Sequence, residues 1–143
     1  METTTDRIER EIAITASAER VWELICRPGW WINDGVVVEH AYDPASDVNV
    51  ITHPVHGRFR VKTVTLDAPR YAAFRWLGDN PDAPTTLVEF WIESAGAGVV
   101  LRVAESGFDS LPASEEERRK TFDGNTEGWG IEMNAAREWA SRP

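Results

Sequence analysis

The residues in this chain whose types and spacing could support chemistry are few. His53 and His56 form an HxxH around Pro54. In an extended or turning segment this spacing does not bring both rings onto one ion as an i, i+4 pair on a helix would, so no metal and no cofactor is expected there. Ser106 and Asp109 fall in "ESGFDSLP" near a turn, but that stretch has no glycine-serine-glycine elbow and no histidine motif to complete a triad. A phosphate-cradling glycine loop is missing as well. The lone Cys26 cannot close an internal disulfide and reads as a buried structural thiol in a reducing compartment.

Acid and amide groups on apolar faces are more informative. Alternation in "VVLRVAESGF" sends Leu101 and Val103 inward, and the two-residue period carries Glu105 with them. In "TTLVEFWIE" the inward set is Val88, Phe90 and Ile92, because the opposite choice would bury Glu89 and Glu93 unpaired. On the C-terminal segment Thr121, Asn125 and Glu132 project from an otherwise apolar arc. Inside an apolar site such groups could orient a ligand. The competing reading pairs Glu105 or Glu132 with an arginine such as Arg75 or Arg102.

These groups must be positioned by identifiable elements. "IEREIAI" alternates as an opening strand with Ile8, Ile12 and Ile14 on one side, and Ser17 caps a short helix over "AERVWELIC" that Pro28 and Gly29 end. A second short helical turn is expected around "WWINDG". Strands follow near 36–40, 48–53, 58–66, 71–77, 86–93 and 98–106, with "AGAG" at 95–98 as a hairpin turn. Pro112 with the Ser114/Glu117 capping box starts a helix reaching Ala140, about 39 Å long. Its core stripe is Phe122, Thr126, Trp129, Met133, Ala136 and Ala140. Gly124 and Gly128 share a second face that would admit a close backbone or a ligand, whereas Gly130 faces solvent.

The 143 residues and 42% apolar content predict one globular domain, 1–143. A net charge of −9 repels a phosphate backbone, which excludes nucleic acid as a partner. No apolar run follows a basic N-terminal segment and none is long enough to span a bilayer, so a cytoplasmic protein without a membrane partner is expected.

Four stretches, "IAITASAERVWELI", "HGRFRVKTVTLDAPRYAAFRW", "AGAGVVLRVAESGF" and "EGWGIEM", resemble in order and spacing the START-like, birch-pollen-allergen (SRPBCC) superfamily. Within it they are similar to the branch named after homologues of the activator of the heat-shock-chaperone ATPase. The resemblance covers nearly the whole chain. It implies an α+β helix-grip fold: a curved antiparallel sheet wrapped around a long C-terminal helix, with two short helices after the first strand. It also implies structural roles for Trp76 at its strand end and for Gly128 with Trp129. Many members carry histidine where this chain has Glu105, so no role tied to that histidine is transferred.

Members of the superfamily enclose a cavity for lipids, sterols, polyketides or other apolar molecules. The resemblance therefore implies a small binding module for an apolar ligand, with Phe74, Trp76, Phe90, Ile92, Val103, Glu105, Thr121, Asn125, Trp129, Glu132 and Met133 around the site. Two other functions stay open. One is an enzyme of the polyketide cyclase or aromatase kind, with Glu105, Glu132 or a histidine as general acid or base. The other is a homodimer or protein-partner role, in which exposed tryptophans of the sheet or of "GWW" meet a chaperone or regulator.

Overall fold

Alternating isoleucines form the first strand, β1 (Arg7–Ile14), which buries Ile8 and Ile14 and leaves Arg10 exposed. The computed structural model describes residues 6–78, 80 and 82–142, so part of the N-terminal stretch read for targeting lies outside the described residues. Helix α1 (Ala18–Ile25) begins where the Ser17 hydroxyl accepts the Arg20 amide at 3.1 Å. It turns Val21, Leu24 and Ile25 into the core. Five further strands follow: β2 (Val48–His53), β3 (Gly57–Asp67), β4 (Tyr71–Leu77), β5 (Leu87–Ala95) and β6 (Gly98–Ser106). A single turn of 3-10 helix (Phe108–Ser110) leads to α2 (Glu115–Ala140).

The six strands form one antiparallel sheet in the order β1-β6-β5-β4-β3-β2. Strands β2 to β6 are a simple meander, and β1 closes against β6 with Ile8 opposite Glu105. The "AGAG" hairpin joins Ala95 to Gly98, with Gly96 at a φ of 58°. Gly98 is required for a different reason: a Cβ there would lie 2.1 Å from the Ile14 carbonyl oxygen, inside the backbone of β1. Long helix α2 packs on β1 and α1 and completes the helix-grip α+β fold. Its start has the expected cap, with Ser114 Oγ accepting the Glu117 amide at 3.1 Å.

Two expected elements do not form. Residues 36–40 are irregular rather than a strand. Their polar groups are engaged locally, Val38 N donating to Asn33 Oδ1 and the His40 ring meeting the Ile32 carbonyl, so they do not enter a ladder. The second short helix is instead a chain of turns from 26 to 31, because Gly29 at φ 72° interrupts helical propagation. This leaves one helix between β1 and β2, not two.

The core between sheet and helix is filled by aromatic rings. Trp31 lies 5.5 Å from Phe74, 5.6 Å from Phe90 and 5.8 Å from Trp129, centroid to centroid. Trp30 and Trp31 are therefore buried, not the exposed contact tryptophans that "GWW" suggested. Among the described residues no helix is long and apolar enough to cross a membrane.

Candidate functional site

Glu105 on β6 points inward, as the strand period required, and is 1% exposed. Three neutral groups satisfy it. Trp129 Nε1 and Asn125 Nδ2 donate to Oε1 at 2.8 and 3.1 Å, and the Thr86 hydroxyl donates to Oε2 at 2.5 Å. The expected arginine partners are occupied elsewhere: Arg75 donates to the Thr85 carbonyl, and Arg102 pairs with Glu11 and Glu93. Among the described residues this buried carboxylate has no basic neighbour within ion-pair distance, and three neutral hydrogen bonds take the place of one.

Glu132, one face of α2 further on, is 8% exposed and likewise has no arginine. Asn33 Nδ2 donates to its Oε1 and the Gly35 amide to its Oε2, both at 3.2 Å. Gly35 holds a φ of 88°, which a side chain would strain. Burial pushes the Glu132 carboxyl above its ordinary value; the two hydrogen bonds oppose that shift and the nearby Asp34 charge adds to it.

Between these carboxylates lies a cleft of about 180 Å³ walled by the indoles of Trp31, Trp76 and Trp129. Asn33 and Asn125 border it, and Gly124 and Gly128 open its helix side. A Cβ built on either glycine meets nothing within 4 Å. Of the two expected occupants, a close backbone or a ligand, no backbone presses against α2 there; the glycines border open space. Trp31 Nε1 and Trp30 Nε1 are buried without a hydrogen-bond partner among the described residues.

The residues expected around a cavity thus divide. Trp76, Glu105, Asn125, Trp129 and Glu132 line this cleft. Phe74, Phe90, Ile92, Val103 and Met133, each at most 5% exposed, fill the interior instead of surrounding a void. Thr121 is exposed, and its hydroxyl donates to the Glu117 carbonyl of its own helix, so it takes no part. Trp31, Asn33, Gly35 and Thr86 were missed. The Trp-Trp-Ile-Asn-Asp-Gly turn carried the only signal, and sequence spacing does not reveal its approach to α2 about a hundred residues away.

The histidines behave differently from their reading in the sequence. Both Nε2 atoms converge on Asp34, His53 at 3.2 Å from Oδ2 and His56 at 3.1 Å from Oδ1, with ring centroids 4.5 Å apart. The three side chains are close enough to share an ion. Yet His53 Nδ1 accepts the amides of Val55 and His56, at 3.0 and 3.1 Å, which places its proton on Nε2. A metal on Nε2 would need that proton moved to Nδ1, against two N–H donors. Metal-ligating histidines show the opposite arrangement, donating from the second nitrogen. The donor set fits a hydrogen-bonded clamp between the β2–β3 turn and Asp34 better than it fits a metal. Cys26 is half-buried, with its thiol pushed upward chiefly by desolvation.

No family model and no curated protein sequence matches the chain. Solved structures do resemble it. Protein MLL2253 from Mesorhizobium loti superposes with a TM-score of 0.72 at 16% identity, covering 93% of this chain and 95% of that one. The Aha1 dimer from Colwellia psychrerythraea gives 0.69 at 14% identity over 92% and 93%. DynU16, a protein of the dynemicin biosynthetic locus, gives 0.64 at 19% identity, covering 94% of this chain and 48% of its own. At these identities the likeness establishes the fold.

Proposed function

We propose that the protein is a small-molecule-binding module whose site is the cleft between α2 and the 31–35 turn. One observation supports this above the others: two buried carboxylates, two amides and three indoles converge on one opening, with glycines where side chains would close it. Structural neighbours that include a biosynthetic-locus protein fit this reading. The cleft is smaller than the roughly 300–1,000 Å³ usual for drug-sized ligands. The ligand is accordingly compact, not a lipid or a polyketide chain lying inside the sheet. A larger groove of about 460 Å³ runs beside β2, but it is lined by exposed valines and gathers no comparable set of buried polar groups.

Gly128→Leu tests the assignment. Its Cβ has open space, so the fold should persist while the isobutyl group occupies the cleft. A panel of compact fragments titrated against tryptophan emission should contain members that bind the natural protein saturably and lose at least about tenfold in affinity with the variant. Absence of any saturable binder, or binders indifferent to Gly128→Leu, would sink the cleft as the site.

A proton-transfer role is a second reading. It is favoured by Glu132, whose carboxyl pKa burial raises, the direction a general acid needs.

A further inference from the structure

The walls of the cleft discriminate by charge, and we infer that its ligand is a small organic cation: an ammonium or quaternary ammonium on a compact apolar body, held against Trp31, Trp76 and Trp129 and facing Glu105 and Glu132. The inference rests on the binding reading above and narrows it to a ligand class.

The nine residues around the cleft include two carboxylates and no lysine, arginine or histidine. Asp34, next to Asn33, lies outside the nine but close enough to act on Glu132, while its own carboxylate meets the His53 and His56 rings on the far side of the turn. Basic side chains that could neutralise this cluster are held elsewhere. Arg10 donates to the Thr126 carbonyl, Arg75 to that of Thr85, and Arg102 sits between Glu11 and Glu93. An anionic ligand would add like charge at short range to these acids, and like-charge juxtaposition is what rejects a wrong partner. A neutral ligand would leave the carboxylates as they are. A cation is attracted by both acids and also by the π faces of the indoles, an interaction that strengthens when water is excluded.

Geometry and size agree with this. Trp31 meets Trp76 edge to face at 5.6 Å and 88°, and lies 5.8 Å from Trp129 at 45°, so the rings stand around a corner and do not stack flat. The volume of about 180 Å³ corresponds to roughly six water molecules at about 30 Å³ each. A trimethylammonium head fits that space; a steroid or an acyl chain does not.

Choline and its neutral carbon isostere, in which a quaternary carbon replaces the nitrogen, have nearly the same shape and differ in charge. Isothermal titration of the intact chain with each should show choline binding saturably and at least about tenfold more tightly than the isostere. Glu105→Gln keeps acceptor and donor atoms for Trp129, Asn125 and Thr86 while removing the charge, so its fold should survive. Glu105→Gln and Glu132→Gln should each weaken choline severalfold and leave the isostere unaffected. Equal binding of the two probes overturns the cation assignment but leaves the cleft reading standing. Binding of neither overturns the assignment, and the fragment panel against Gly128→Leu then decides the cleft reading separately. If one glutamine variant fails to fold, the comparison of the two probes on the natural protein decides the matter by itself.

Discussion

Glu132 links the site to solution pH. Burial raises its folded pKa, so the native chain holds this proton more tightly than the unfolded chain does. Its contribution to stability is therefore greatest in acid and declines as pH rises from the ordinary carboxylate range to the raised folded value. The charged groups facing it are Asp34 from the 31–35 turn and Glu105 from β6, both acidic, and neither reverses that sign. Glu132→Gln should remove this slope from urea-denaturation midpoints measured between about pH 4 and pH 7. At the acid end of that range it should also cost about 1 kcal/mol, because an amide nitrogen replaces one of the two accepting oxygens. Identical pH slopes in variant and natural protein would show that Glu132 is not desolvated.

Helix α2 and the strands around it show what local pattern can reveal. The Ser114 cap and the stripe from Phe122 to Ala140 were legible, and the helix runs Glu115–Ala140 as read. The inward direction of Glu105 was legible from strand period alone. Its partners were not, because Thr86, Asn125 and Trp129 lie on other elements and nothing in their local spacing marks them as neighbours. The helix glycines were legible only as a choice between a close backbone and a ligand, for a related reason: a wheel shows which face a residue occupies, not whether anything lies opposite. Gly130→Ala should stabilise by about 0.5–1 kcal/mol in chemical denaturation, since it removes unfolded-state freedom and meets no neighbour. Gly98→Ala should destabilise by about 1–3 kcal/mol or more, since backbone cannot yield as a side chain does. Equal effects at the two positions would contradict the geometry at one of them.

For the whole molecule, the sequence conveyed order and missed occupancy. Strand sequence, hairpin and terminal helix follow from periodicity and capping, which act over a few residues. Whether the space between sheet and helix is hollow depends on where Trp30 and Trp31 go, and their turn has no periodicity to read. They enter the interior at 2% and 6% exposure, and with Phe74, Phe90 and Trp129 they fill the volume where the family resemblance implied a cavity. What remains open is a compact cleft bordered by Glu105 and Glu132.

The hydrogen bonds to Glu105 have a consequence for how the molecule opens. Their donors come from residue 86, before β5, and from residues 125 and 129 in the middle of α2. Lifting α2 off the sheet would strip two donors from a carboxylate already out of water, so that half of the helix is coupled to the sheet. The first two turns of α2 have no such tie: residues 115–121 are exposed except for Arg118. Amide hydrogen exchange should therefore divide one continuous helix in two, with its first turns exchanging through local fraying and residues near Trp129 only through opening of the whole domain. Uniform protection along α2, or loss of protection around Trp129 at low denaturant, would show that the carboxylate does not couple the two layers.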